Sequence, residues 1–237
     1  MTKKYILSLL FLIIASVVFA QQQISVKIWQ GGKADIIEQI DSITFPNTMQ
    51  HITCIDLGLS VKWGSCNIGA ETPEAYGNYY AWGEVNTKEN YSWNKYKYYE
   101  PISKKITKYN ASDKMTILEA NDDVATILLG NKWRIPTSAE MEELVKKCTW
   151  KWFEDEKSGY CGYWITGPNG NRIFLPAAGC INGNEPYAAE FYGYYWTSEN
   201  VSFENKLAVH LFFNDDKANA SNVSNRYYGF SIRPVQQ

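Results

Sequence analysis

The chain has 237 residues, of which 45% are apolar and 20% are charged, and its formal net charge is −2. This composition can bury a sizeable core, which excludes a disordered polymer, and the charge balance lacks the positive field that nucleic-acid binding requires. Aromatic residues reach 15%, whereas His51 and His210 are the only histidines in the sequence. Such scarcity of histidine argues against a zinc centre or a Ser-His-Asp triad.

Residues 1–20 have the three parts of a signal peptide. Lys3 and Lys4 precede an apolar run over residues 5–19, and Val18-Phe19-Ala20 provides small residues at a cleavage position. The run is shorter than the roughly 20 residues of a membrane span, and no cysteine follows the cut for a lipid anchor. We therefore expect a protein that is secreted or exposed on the cell surface, without an integral membrane anchor.

A short β-rich N-terminal segment and connector is predicted over residues 21–51. Residues 24–29 alternate between apolar and polar side chains, as a half-buried strand does, and a second apolar stretch covers residues 36–45. The segment is too short to fold stably alone. The main domain is expected over residues 52–237.

The first half of the main domain predicts short strands, a loop and two helices. Strands are expected at residues 52–57, 61–66 and 79–82, and the polar, Tyr-rich stretch 86–113 is expected to be a long surface loop. A short helix is predicted at Val124–Leu129, capped by the preceding acidic residues and ended by Gly130.

The clearest helix is predicted at Ser138–Cys148. Thr137 and Glu140 form a T-x-x-E capping box, in which each side chain satisfies a free backbone N–H. An apolar stripe of Met141, Leu144, Val145 and Cys148 faces the core, and the glutamates at 142 and 143 stand four residues before lysines. These glutamates therefore belong to a solvated helix face and not to an acid–base pair.

The second half predicts strands and turns. Strands are expected at residues 149–153, 160–166, 172–175, 194–198, 207–213 and 228–235, and Pro168-Asn169-Gly170 predicts a tight hairpin turn. In the strand 207–213, His210 and Phe212 are expected on the face opposite Leu211 and Phe213. Two short helices followed by many strands indicate an α+β fold.

Seven short sequence motifs occur in the main domain, in the order Asp56–Trp63, Cys66–Ala70, Tyr76–Glu84, Trp133–Thr137, Phe174–Gly179, Gly193–Ser198 and Gly229–Val235. Together these phrases resemble the Fibrobacter-type major paralogous domain, a family abundant in exported proteins of gut Bacteroidetes. The resemblance covers about residues 52–236 and implies a C-type-lectin-like fold, with two short helices, a twisted antiparallel sheet and long irregular loops. It implies no particular activity.

Five cysteines remain after the predicted cleavage, so at least one has no partner within the chain. Cys66 lies within a family phrase and Cys148 ends the main helix beside another. From these places we expect the two to approach and to form a disulfide in the exported protein.

Formylglycine-generating enzymes share this broad fold but need two active cysteines late in the domain, where this chain offers Cys161 and Cys180 in a different context. Glu185-Pro186 and Asn214-Asp215 echo the calcium loop and strand of lectins, although turn chemistry explains both segments without a metal. We therefore predict no catalytic residue, no metal ligand and no cofactor.

Ligand-binding candidates fall in two places. Tyr and Phe side chains of the loop 182–191 and its end can stack on a sugar ring or anchor a protein partner. The segment Asn214–Arg226 contains almost no core-forming residue and is expected to be a displayed loop. The candidates are Tyr187, Phe191, Tyr192, Asn214, Asp215, Asp216, Asn219, Asn222 and Asn225. A further group of aromatic residues can either cover the core or form a surface that contacts a partner, and the sequence leaves both interpretations open. They are Tyr91, Trp93, Tyr96, Tyr98 and Tyr99.

These features favour an exported binding module that recognises a glycan or a surface protein through its loops, without catalysis and without nucleic acid. The alternative is a structural or assembly component of a cell-surface complex that has no soluble ligand.

Overall fold

A computed structural model of the chain describes residues 26–30, 33–37, 52–155, 159–201 and 204–236. The predicted signal peptide and most of the connector lie outside these residues. The chain divides into two compact units, Met1–Met49 and Gln50–Gln237. No helix in the described ranges is long and apolar enough to cross a bilayer.

The described part of the first unit is a β-hairpin. Strand β1 (Val26–Gln30) pairs antiparallel with β2 (Lys33–Ile37), with Val26 opposite Ile37 and Gln30 opposite Lys33. Residues 26–29 of the alternating stretch therefore lie in a strand, and residues 24 and 25 lie outside the described ranges.

The second unit combines two α-helices with many short antiparallel strands, which confirms the predicted α+β class and makes the fold mostly β. The helices are α1 (Val124–Leu129) and α2 (Ser138–Lys147), and two 3-10 turns cover Trp93–Lys95 and Ala120–Asp122. The strands are β3 (Cys54–Ile55), β4 (Lys62–Gly64), β5 (Tyr99–Glu100), β6 (Lys105–Ile106), β7 (Trp133–Arg134), β8 (Thr149–Asp155), β9 (Tyr160–Thr166), β10 (Arg172–Pro176), β11 (Cys180–Asn182), β12 (Glu185–Tyr187), β13 (Gly193–Val201), β14 (Glu204–Phe213), β15 (Ala218–Asn225) and β16 (Val235–Gln236).

Helix α1 begins and ends where the local signals predict, and α2 begins at the predicted Ser138 but ends at Lys147, one residue before the predicted Cys148. In α1, the Asp123 side chain accepts a hydrogen bond from the Thr126 N–H, and Gly130 is the C-cap. In α2, Thr137 and Glu140 form the complete capping box. The predicted lysine–glutamate pairs are present on its outer face, and Met141 and Leu144 are buried on its inner face.

The beginning and the end of the larger unit meet in one sheet with the order β3-β4-β16-β7. Val235 of β16 lies opposite Trp63 of β4 on one side and Arg134 of β7 on the other. The closing strand therefore joins segments that are distant in sequence.

A second sheet, β13-β14-β15, separates two hydrophobic clusters. Trp196 and Ala208 point into the first cluster, whereas Tyr195, Leu211 and Phe213 point into the second, where they meet α2. Because side chains alternate along a strand, one sheet supplies both cores. A third sheet, β10-β9-β8, packs into the second cluster, and the predicted Pro-Asn-Gly turn joins β9 to β10.

The stretch 86–113, here called the tyrosine-rich segment, is not the surface loop that its polarity predicted. Tyr91, Tyr96, Tyr98 and Tyr109 are buried, and Trp93 is half-buried. The hydroxyls of Tyr91 and Tyr96 donate to main-chain oxygens, and that of Tyr109 donates to the Asp122 carboxylate, so these three polar groups are satisfied inside the protein. These rings therefore have a structural role and pack in the interior of the protein.

The segment Asn214–Arg226 is not a displayed loop either. A turn at residues 214–217 leads into β15, which pairs with β14 and places Ala220 in the second cluster. Asn, Ser and Ala have weak β-propensity, but pairing with a neighbouring strand overrides it.

The expected disulfide between Cys66 and Cys148 is not present. All five cysteines are free thiols in the structure. Cys66 is buried in the first cluster, whereas Cys148 packs against the second, so the two side chains serve different cores.

Candidate functional site

A cleft of about 370 Å³ is bounded by the hairpin β11–β12, by residues of β13 and β15, and by the segment 228–230. Four rings line it, those of Tyr187, Tyr194, Tyr228 and Phe230. Its polar side chains are Asn182, Glu185 and Ser224, and Cys180 and Pro186 complete the lining. Below, this site is called the aromatic cleft.

The floor of the aromatic cleft is a stack of rings. The Phe230 ring is buried and stacks on the half-buried rings of Tyr194, at 5.0 Å between centroids, and of Tyr228, at 5.9 Å. Burial raises the pKa of Tyr194 well above its usual value, with smaller effects from Cys180 and Tyr187. The floor is therefore an uncharged aromatic surface at neutral pH.

The rim is the hairpin β11–β12, whose backbone is tied to neighbouring segments. Ile181 and Gly229 exchange main-chain hydrogen bonds of 2.8 and 2.9 Å. Gly179, just before the hairpin, has a φ of 63°, and a Cβ there would lie 2.3 Å from the Tyr187 carbonyl oxygen. Only glycine lets the two ends of this hairpin approach so closely. Tyr187 itself is 61% exposed, so its ring stands free above the fixed backbone.

His210 lies beneath the aromatic cleft and contacts three of its lining residues. Its Nε2 is 3.0 Å from Ser224 Oγ, and its ring centroid is 4.9 Å from that of Phe230 and 5.8 Å from that of Tyr194. Burial lowers the pKa of His210 to about 4, against the backbone carbonyls of Leu211 and Val223. The imidazole is therefore neutral at neutral pH. As predicted, it points away from the face that holds Leu211 and Phe213.

The Cys180 thiol of the aromatic cleft is not an activated nucleophile. Burial raises the pKa of the Cys180 thiol to about 11, so little thiolate forms at neutral pH. Within the described ranges, no group of three or more His, Cys, Asp or Glu side chains is placed to hold a metal ion. The arrangement can hold a ligand by stacking and hydrogen bonding.

The structure brings one predicted site residue, Tyr187, into this cleft. Tyr192 extends the aromatic surface nearby, with its ring 5.5 Å from that of Phe212 and 6.3 Å from that of Tyr194. Phe191 is 67% exposed on the segment after β12.

The other candidates lie elsewhere on the sheet. Asn214 closes the β14–β15 turn by accepting hydrogen bonds from the main-chain N–H groups of Asp216 and Lys217, and Asp215 is exposed in the same turn. Asn219, Asn222 and Asn225 stand on β15. From β15 the cleft instead takes Ser224, which the sequence prediction missed. It also missed Tyr194, Tyr228 and Phe230. Asn182 and Glu185 lie in the loop that was predicted to bind, but they were not among the ligand-binding candidates. Adjacent Tyr227 and Tyr228, directly after a polar strand, were the available signal.

Comparisons with protein-family models, with curated proteins and with solved structures find no match to this chain.

Proposed function

We propose that the protein is an exported, non-catalytic binding module with the C-type-lectin-like fold of the major paralogous domain family, and that the aromatic cleft binds a glycan. Support for the fold comes from the two helices, the antiparallel sheets and the irregular connections. Support for the glycan comes from the cleft.

The observation that carries the proposal is a set of open rings beside polar side chains in one cleft. Tyr187, Tyr194 and Tyr228 offer partly exposed faces, on which the C–H face of a pyranose ring can stack. Asn182, Glu185 and Ser224 provide the hydrogen-bonding groups that fix its hydroxyls. The volume falls within the range of about 300–1,000 Å³ that small-molecule sites occupy.

A glycan array probed with the purified full-length protein tests the proposal. We expect binding to at least one glycan, and a loss of roughly tenfold or more in affinity for Tyr187→Ala, because stacked aromatic anchors dominate such contacts. Tyr160→Ala is the matched control, since Tyr160 is a partly exposed tyrosine outside the cleft, and it should bind as the wild type does.

A folded protein that binds no glycan would contradict the proposal and favour the alternative, an assembly component of a surface complex. Equal losses for Tyr187→Ala and Tyr160→Ala would show that the cleft is not the binding site.

A further inference from the structure

The charge of the aromatic cleft restricts what it can hold. Glu185 is the one charged side chain among its described lining residues, and no Lys or Arg lines it. Glu185 is exposed, so ions in the solvent partly screen the interaction between its carboxylate and a bound ligand. A carboxylated or sulfated sugar would meet a like charge, whereas an ammonium group would meet its counter-ion.

The hydrogen bonds of His210 set the direction of the Ser224 hydroxyl. We assign the proton of the neutral imidazole to Nδ1, because Nδ1 is 3.2 Å from the Leu211 carbonyl oxygen, which can only accept. In the neutral imidazole Nε2 is then an acceptor, and the Ser224 O–H donates to it. The Ser224 oxygen has its lone pairs left for the cleft.

Two polar side chains of the cleft act mainly as hydrogen-bond acceptors. The Glu185 carboxylate and the Ser224 oxygen accept, whereas the Asn182 amide and the hydroxyls of Tyr187, Tyr194 and Tyr228 can donate. Hydroxyl and ammonium groups of a ligand can donate to the two acceptors. Carboxylate and sulfate groups only accept, so they can use the donors but neither acceptor, and at Glu185 they meet a like charge.

We propose that the aromatic cleft selects neutral or amine-bearing saccharides over anionic ones, with Ser224 as a specificity-determining acceptor and His210 as the residue that positions it. This proposal rests on the proposed glycan-binding function and names the class of glycan.

The test compares three classes on the array: neutral hexose oligosaccharides, glucosamine oligosaccharides and uronate-containing oligosaccharides. The strongest ligand of each class is then titrated calorimetrically at pH 7. We expect the neutral and amine-bearing classes to bind at least roughly fivefold more tightly than the uronate class. Glu185→Gln should reduce this difference, and Glu142→Gln, on the outer face of α2, should leave it unchanged.

The roles of Ser224 and His210 are tested by substitutions that either remove or keep their hydrogen-bonding groups. Ser224→Ala should lose roughly fivefold in affinity, Ser224→Thr should retain it, and Ser221→Ala, at an exposed position of the same strand, should have no effect. His210→Gln offers an amide oxygen to the Ser224 proton and should retain the class preference, whereas His210→Leu should weaken it.

Each outcome separates this proposal from the function it rests on. Preferred binding of uronates that Tyr187→Ala abolishes would overturn the class assignment and keep the glycan site. Full affinity in Ser224→Ala would overturn the role of the acceptor. Absence of binding in all three classes would overturn the function itself.

Discussion

Tyrosine and tryptophan rings fill two regions of this protein, and several tyrosine hydroxyls are used differently in the two. Within the interior, Tyr91 donates its hydroxyl to the Tyr79 carbonyl at 2.6 Å, and Tyr96 donates to the Trp82 carbonyl at 2.8 Å. In the aromatic cleft, Tyr187 and Tyr194 make no such bond to any main-chain carbonyl within the described ranges. Buried rings whose hydroxyl is hydrogen-bonded to the main chain stabilise the fold, and rings with an unused hydroxyl and an open face can bind a ligand.

Electrostatics separate the two regions as well. Beside the tyrosine-rich segment, the Asp122 carboxylate accepts hydrogen bonds from Lys108 Nζ at 2.6 Å and from the Tyr109 hydroxyl at 2.7 Å. Burial alone would raise the pKa of Asp122, but these bonds hold it well below its usual value. The interior region has an ion network that fixes its rings. The cleft has one exposed carboxylate, which leaves its chemistry open to a ligand.

The largest expected effect separates an interior ring from a cleft ring. Trp82 is buried, donates from Nε1 to the Thr197 carbonyl at 2.9 Å and lies under the Arg226 guanidinium at 4.8 Å. Trp82→Ala should lower the free energy of unfolding by about 4 kcal/mol, because it removes these contacts and leaves a cavity. Urea denaturation at pH 7 measures the change.

The control is Tyr228→Ala, which removes a half-buried ring from the cleft. Its cost should be less than half that of Trp82→Ala. Equal destabilisation by the two variants would remove the distinction between a structural interior and a cleft available to a ligand.

His210 joins the two regions, and its titration gives the second effect. The unfolded chain takes up the proton near pH 6.5, while the buried imidazole takes it up near pH 4. The stability is complete above pH 6.5 and falls as the pH drops, because the unfolded state binds the proton first. The difference amounts to about 3 kcal/mol by pH 4.

Denaturation at several values between pH 7 and pH 4.5 tests this expectation by comparing the wild type with His210→Gln. Carboxylates contribute equally to both proteins, so the variant should show the flatter profile. Parallel profiles would mean that the imidazole is protonated inside the fold or is not buried.

How far the sequence predicts the structure depends on how local the determining interactions are. The capping box of Thr137 and Glu140 and the Pro-Asn-Gly turn are complete within a few residues, so both were predicted. The burial of the tyrosine-rich segment depends on distant partners, such as the Thr197 carbonyl for Trp82. Its interleaved polar residues gave no periodic signal, and the loop prediction was wrong.

The cleft was predicted only in part for the same reason. Tyr187 was recognisable as an aromatic residue in a polar loop, but Ser224 and Tyr228 reach the cleft through the pairing of β15 and the path of the chain after it. Low β-propensity concealed that strand, and no local pattern places residues 40 positions apart around one ligand.

The smallest expected effect is a matched pair that removes one hydroxyl from each region. Tyr91→Phe takes away the donor to the partly buried Tyr79 carbonyl and should cost about 1 kcal/mol, since that acceptor is left without this partner. Tyr187→Phe removes a hydroxyl from an exposed ring and should change the free energy of unfolding by less than about 0.5 kcal/mol. For glycan affinity the order of the two effects should be reversed. Tyr91→Phe should keep the wild-type affinity, because the cleft rings are unchanged. Tyr187→Phe should bind less tightly, because it keeps the stacking but loses the hydrogen bonds that its hydroxyl makes to the ligand. Denaturation and calorimetry on the two variants check both quantities, and a stability loss for Tyr187→Phe as large as that for Tyr91→Phe would place Tyr187 among the structural rings.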